Sequence, residues 1–401
     1  MTVIKGYKTE LRLNNKQRTL CRKSVGAARF AYNWGLRIKQ DEYADTGNSP
    51  SSIDLHRRLN ALKPTEFPWM YEVSKCCMQE ALRDLETAFK HFFRRVKQGE
   101  TPGYPRFKSK KHGLGSFRLT GSIKVQHNKV KLPRLGWLRL KEADYLPQEA
   151  HILSTTVSEQ SGRWFVSLQV KEAHPEPEPS PKTCGVDVGI THLATLHDGT
   201  TYENPKALST LRERLNRAHQ RMSRKQKGSH NRKKAVRRLQ NLYARLRNVR
   251  KNAIHQATTS ITKQYGVIGI EDLHVAGMLK NHHLANAVSD ASFSEFHRQL
   301  MYKADWNGGH IVQADRFFPS SKTCSRCGTK KSVLKLSERV FSCEWCGLTI
   351  DRDVNAAINL RIYTVSSTGI NACGVGEVHV ERQVSDAEAG TKHEIGDVRF
   401  G

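Results

Sequence analysis

The chain has 401 residues, enough for two to four domains at roughly 150 residues each. Lys plus Arg number 66 against 38 Asp plus Glu, a formal charge of +28. Ordinary soluble domains carry roughly 2 to 8, so a polyanion is expected to neutralise the surplus. An apolar fraction of 37% permits packed cores and excludes wholesale disorder. No long apolar run predicts a membrane span, and the first eight residues lack the apolar core of a secretory signal. Nucleic acid is therefore the expected partner.

Residues 1–13 alternate through Tyr7, Thr9, Leu11 and Leu13 and predict a strand. From residue 15 to 42, Leu20, Ala27, Phe30, Trp34 and Ile38 fall on one helical face. A polar break follows at residues 45–52. A second helix is predicted over residues 73–97, with Leu82, Leu85, Ala88, Phe89 and Phe92 as its apolar stripe. Residues 103–111 break regular structure and interleave Arg106, Lys108 and Lys110 with Tyr104 and Phe107. That mixture suits phosphate contact plus stacking, although a solvated loop has the same composition. Residues 116–172 predict a small all-β, barrel-like domain, with turns at His127-Asn128 and Ser161-Gly162. Four prolines in residues 175–181 mark a stiff linker.

Beyond the linker, residues 184–190 form a short apolar strand carrying Asp187. A β-meander with an Asp198-Gly199 turn follows. Residues 211–251 hold sixteen Lys or Arg and one acid, Glu213. Apolar residues recur on both sides of Gly228, which predicts two long helices with one packed stripe and one basic face. Arg224, Lys225, Arg232, Lys233 and Lys234 are candidate phosphate contacts there. Residues 265–273 are a second apolar strand, ending in Glu271. Residues 350–360 place Asp351 and Asp353 at the start of a helix whose packed face is Ala356, Ala357 and Leu360. Residues 361–401 carry four basic residues against six acids and predict a disordered tail.

Nine cysteines, an odd number, argue for a reducing compartment. Cys324-x-x-Cys327, fifteen residues, then Cys343-x-x-Cys346, each pair followed by Gly, has the spacing of a four-cysteine zinc ribbon. Four thiolates leave no open position, so that Zn²⁺ would be structural. The remaining cysteines read as packing residues. No His-Glu-x-x-His is present, and His282-His283 reads as surface.

Asp187, Glu271 and Asp353 stand at strand ends and a helix start, where a buried carboxylate is costly unless it binds a cation or a donor. Together they could hold two Mg²⁺ ions for phosphodiester hydrolysis. Each also has a structural alternative: Asp187 a turn former, Glu271 a surface strand end, Asp353 a helix cap. Asp353 is preferred to Asp351 as the functional acid, with Asp351 as the cap.

Five segments carry a family resemblance. They are Gly185-Val186-Asp187-Val188-Gly189; Ile270-Glu271-Asp272-Leu273; Asp315-Arg316-Phe317-Phe318-Pro319-Ser320-Ser321-Lys322-Thr323-Cys324; the four cysteines; and Asp353-Val354-Asn355-Ala356-Ala357-Ile358-Asn359. With Pro105-Arg106-Phe107-Lys108 they resemble TnpB, a transposon-encoded RNA-guided DNA endonuclease family related to type V CRISPR effectors.

The resemblance implies a multidomain α+β fold. A wedge β-barrel would span residues 1–13 and 98–174, split by a helical recognition domain at 14–97. An RNase H-like RuvC nuclease domain would span 182–362 with a zinc ribbon at 320–349, and a disordered tail 363–401. Asp187, Glu271 and Asp353 would be the catalytic ligands of two Mg²⁺, and the cysteines would hold one Zn²⁺. The guide would be RNA from the transposon end, and the target double-stranded DNA with a short adjacent motif, for which Lys75 and Gln79 are candidate readers. A monomeric ribonucleoprotein in the prokaryotic cytoplasm, nucleoid-associated, is the implied state. Competing readings are a nuclease-inactive RNA-guided regulator, a guide-free cut-and-paste transposase and a miniature type V CRISPR effector.

Overall fold

The computed structural model describes residues 2–110, 113, 115–173, 177–335 and 337–368. Part of the predicted proline linker and residues 369–401 of the predicted tail lie outside the described residues. The chain divides into two compact units: Met1–Pro177 with Ser209–Asn248, and Glu178–Leu208 with Val249–Gly401. Among the described residues no helix is long and apolar enough to cross a membrane.

The first unit begins with β1 (Thr2–Arg12), α1 (Asn15–Thr46), α2 (Ser52–Leu62), a 3-10 turn (Pro68–Glu72) and α3 (Lys75–Lys97). It continues with β2 (Ser116–Leu119), β3 (Lys124–Gln126), β4 (Lys129–Leu132), β5 (Gly136–Leu140), β6 (His151–Gln160) and β7 (Arg163–Ala173). The strands form one antiparallel sheet in the order β2-β6-β7-β1-β5-β4-β3. The N-terminal strand is central: it pairs with β7 from Thr2↔Ala173 to Leu11↔Trp164, and its end pairs with β5. Asn14 and Gln17 form a capping box that starts α1, and Ser51 and Asp54 do the same for α2. The first helix buries Val25, Ala28, Tyr32 and Leu36. These share one core with Leu55 and Leu59 of α2, Met78, Leu82 and Leu85 of α3, and the inward side chains of the sheet. Helix α2 follows directly on the polar break read at residues 45–52, and periodicity alone did not assign it. Its signal was the Ser51-x-x-Asp54 box followed by leucines four apart.

The second unit starts with β8 (Thr183–Asp187), β9 (His192–Leu196) and β10 (Thr201–Glu203). Two long helices follow, α4 (Ala207–Ser223) and α5 (His230–Gln264), whose Ser209–Asn248 stretch belongs to the first unit. Next come β11 (Val267–Glu271), α6 (Val275–Met278), α7 (Ala285–Ala291), α8 (Phe293–Trp306), β12 (His310–Ala314), β13 (Val340–Ser342), β14 (Thr349–Asp351) and α9 (Arg352–Thr368). The main sheet has the order β10-β9-β8-β11-β12. Strands β8, β11 and β12 run parallel, while β9 and β10 complete an antiparallel meander. On one face Cys184, Val186, Ile268 and Ile270 pack against Ile254, Ala257 and Ile261 of α5 and Phe296 and Leu300 of α8. The other face carries α9. That helix continues through Thr368, so residues 363–368, expected to be tail, are helical. The cause is packing: Thr364 is fully buried and its hydroxyl lies against Gly269.

Candidate active site and zinc-ligand cluster

Asp187 ends β8 and Glu271 ends β11, and the two strands run parallel with Gly185 opposite Gly269. Side chains alternate along a strand, so each acid shares a face with the glycine two residues before it. Helix α9 lies on that face at backbone distance. A Cβ at position 185 would sit 1.9 Å from the Ala357 carbonyl oxygen, and one at 269 would sit 2.0 Å from the Thr364 hydroxyl. Only glycine permits that approach. Asp353 stands one helical turn before Ala357, so the helix delivers it to the strand ends. Its Oδ2 lies 4.0 Å from the Cβ position of Gly189.

The structure thus brings together three acids that are far apart in sequence. Asp187 is 9% exposed. Burial, reinforced by Glu271 and then Asp353, pushes its pKa well above the usual carboxylate range, and only Arg352 opposes. Burial also raises Glu271, against the hydrogen bond donated by the Ser320 hydroxyl and with Asp353 adding to the rise. Arg352 Nε lies 3.6 Å from the Asp353 carboxylate. Asp351 does not join the cluster as a free acid: its Oδ1 accepts from the N–H groups of Asp353 at 2.9 Å and Val354 at 3.1 Å, as a helix cap does. The cluster has more buried negative charge than the protein offsets. Its donors are all carboxylate oxygens, the set preferred by hard divalent cations such as Mg²⁺.

The four cysteines form a second cluster. Among the described residues they are the one group of three or more metal-ligating side chains whose ligand atoms all lie within 4.8 Å of one another. Cys324 Sγ lies 3.6 Å from Cys346 Sγ, and Cys327 Sγ lies 3.6 Å from Cys343 Sγ. Both knuckles have the same build. The Gly328 N–H donates to the Cys324 carbonyl at 2.9 Å, and the Gly347 N–H to the Cys343 carbonyl at 3.0 Å. These glycines have φ of 76° and 71°, the left-handed region that a tight turn needs. The Thr329 hydroxyl, then its backbone, lowers the pKa of the Cys327 thiol.

The proposed nucleic-acid contacts scatter over the first unit. Lys75 is exposed at the start of α3, with Gln79 half-buried one turn later. Burial, then Lys63, Lys75 and Arg83, lowers the pKa of nearby His56, so positive charge is concentrated there. Arg106, Lys108 and Lys110 are exposed. Lys108 is anchored through its backbone to Asn33, and its ammonium lies 3.8 Å from the Tyr32 ring centroid. Of the sixteen basic residues in 211–251, all but Arg232 and Arg250 are exposed. Arg224, Lys225, Lys233 and Lys234 are thus available to a polyanion. Arg232 instead donates to the carbonyls of Met222 at 2.9 Å and Lys225 at 3.0 Å, closing the end of α4.

Five further residues have no role assigned from the sequence: the paired glycines 185 and 269, Ser320, and the buried Asn355 and Asn359. The last two had a visible signal. They are polar residues four apart on an otherwise apolar helix face.

Residues 156–282 match a family described as a probable transposase, residues 293–360 one described as a Cas12f1-like TNB domain, and residues 1–48 one described as a helix-turn-helix domain. In this fold residues 1–48 hold one strand and one 32-residue helix. A Streptomyces pristinaespiralis protein named as an RNA-guided DNA endonuclease is 35% identical over 378 residues, 93% of this chain and 92% of the relative. InsQ of Escherichia coli (strain K12), named in the same terms, is 30% identical over 394 residues, 93% of this chain and 95% of the relative. Among solved structures, Cas12f1 in a complex with sgRNA and target DNA aligns with a TM-score of 0.56 at 14% identity, covering 90% of this chain and 99% of that one. That likeness is one of fold.

Proposed function

The chain belongs to the TnpB family, and on that premise we propose that it is an RNA-guided DNA endonuclease of a transposable element, cutting by metal-dependent phosphodiester hydrolysis. The observation that carries the reading is the cluster of Asp187, Glu271 and Asp353, whose buried charge calls for cations. The sheet order supports an RNase H-like RuvC domain, with the cysteine cluster inserted ahead of the helix that bears the last acid.

Asp187, Glu271 and Asp353 would hold the catalytic Mg²⁺ ions. Two such ions would activate a water and stabilise the leaving oxygen. The chain's own contribution is placement. Strand ends fix Asp187 and Glu271, α9 fixes Asp353, and burial of the acids keeps the field between them strong. Cys324, Cys327, Cys343 and Cys346 would hold a structural Zn²⁺. Base pairing by the guide supplies sequence discrimination, while exposed Lys and Arg contact phosphates. Lys75 and Gln79, one turn apart on α3, would read the target-adjacent motif.

The test is purification of the full chain and sequencing of copurifying RNA, then incubation with Mg²⁺ and matched double-stranded DNA. A short discrete RNA and guide-directed cutting that RNase treatment abolishes are expected. Binding without cutting would sink the nuclease reading. Cutting that survives RNase would sink the guide requirement.

A further inference from the structure

We propose that Ser320 is a positioning residue that holds Glu271 in the acid cluster, and that Asn355 and Asn359 tie this serine to the four-cysteine knuckle. The inference rests on the acid cluster being the nuclease site, and it adds a residue whose role that reading leaves open.

Ser320 is 2% exposed, and its hydroxyl donates to Glu271 Oε1. It lies in the turn between β12 and the first knuckle, whose Phe318, Ser320, Lys322 and Thr323 N–H groups bond to nearby carbonyls of the same turn. Helix α9 adds side-chain partners to this turn. Asn359 Nδ2 donates to the carbonyls of Ser320 and Thr323, each at 2.7 Å. Asn355 Nδ2 donates to the Thr323 carbonyl at 2.7 Å, and its Oδ1 accepts from the Ser325 N–H at 3.0 Å. Both amides are buried, where an unpaired polar group is costly, so these bonds specify one arrangement. Cys324 lies between the two gripped residues Thr323 and Ser325. The turn is anchored further by the Arg316 ion pair to Asp272 at 2.7 Å and by Phe318 against Tyr363 at 4.8 Å between ring centroids.

One helix therefore serves three purposes. It carries Asp353, grips the backbone around Cys324, and holds the serine that orients Glu271. An acid that ligates a metal needs its own hydrogen-bond partner to fix its orientation, and loss of such a partner typically costs about 10- to 100-fold in metal affinity or activity.

The test compares wild type, Ser320→Ala, Ser320→Thr and Glu271→Ala as full ribonucleoproteins. Three quantities are read: bound zinc, the Mg²⁺ concentration for half-maximal cleavage, and the Ca²⁺-induced thermal upshift without target DNA. Ser320→Ala should keep its zinc and guide RNA, raise the half-saturating Mg²⁺ about 10-fold or more, and show a reduced Ca²⁺ upshift. Ser320→Thr, which retains the hydroxyl, should restore both metal readouts. A Ser320→Ala protein with wild-type metal response would overturn the proposal, as would equal impairment of the Ala and Thr variants. Wild-type cutting by Glu271→Ala would instead remove the acid-site reading itself. An inactive Glu271→Ala beside a normal Ser320→Ala fails only the role of the serine.

Discussion

The two clusters of ligating side chains are built in opposite ways. The cysteines come from two short loops, each closed by a glycine N–H bonded to its first cysteine's carbonyl, and their ligand atoms lie within 4.8 Å of one another. The acids come from positions 187, 271 and 353, and they raise one another's pKa in a buried site. A closed thiolate set is organised by local turns. The carboxylate set is organised by the sheet and by the helix that lies on it.

The largest expected effect comes from removing an acid. Asp187→Ala should lower cleavage by about 10³-fold or more, because loss of a Lewis-acid site forfeits several kcal/mol of transition-state stabilisation. Guide and target binding should stay near wild type, since no phosphate contact is removed. Cleavage rate and gel-shift affinity measured on one preparation check this. Retained cutting would remove Asp187 from the metal site.

Next is Gly185→Ala, which leaves every acid in place. The added methyl would meet the Ala357 carbonyl at 1.9 Å, so α9 must lift from the sheet. Overpacking typically costs about 1–3 kcal/mol, occasionally more, here with displacement of Asp353. A lower Tm with cleavage reduced at least 10-fold is expected. An unchanged Tm would show that α9 does not depend on the glycine for its seat.

This contrast also explains what could be read in advance. The cysteine knuckles are legible because spacing within a loop is a sequence property, and Gly328 and Gly347 announce the turns. The strands bearing Asp187 and Glu271 and the helix bearing Asp353 are legible from periodicity. Their convergence is expected from the chemistry of strand-end acids and from the family resemblance, but its means are not legible, because it depends on Gly185 facing Gly269 across a parallel register that no local window contains. The same reason hides Ser320, whose partner is 49 residues away. Among the basic residues, Arg232 looks like its neighbours in sequence and differs only in finding two carbonyls at the end of α4.

Cys324→Ser tests the closed cluster. Structural zinc sites bind as a folded unit and lose affinity when a thiolate is removed. Bound zinc should fall well below one equivalent by metal analysis, while the five-stranded sheet stays folded. Cleavage should fall by about 10-fold through the Thr323–Ser325 grip on the turn that holds Ser320. Full zinc occupancy in this variant would break the four-thiolate assignment.

The smallest effect is a pH dependence of the acid cluster. Free Asp and Glu titrate near 3.9 and 4.3, whereas Asp187 and Glu271 are both raised in the folded chain. Between the unfolded and folded values, the folded state retains protons that the unfolded state has released. Stability from these groups is therefore greatest below the unfolded values and is lost as pH rises through the folded ones. Divalent cations bind the carboxylate forms, so their stabilising effect should grow with pH over the same window. At ten times Kd a cation adds about 1.4 kcal/mol, roughly 3–6 °C in Tm for a unit of this size. Ca²⁺ added to the protein without target DNA should raise Tm by that amount at pH 8 and by clearly less at pH 5, and the increment should shrink in Asp187→Ala. An equal upshift at both pH values would mean that the cation binds elsewhere.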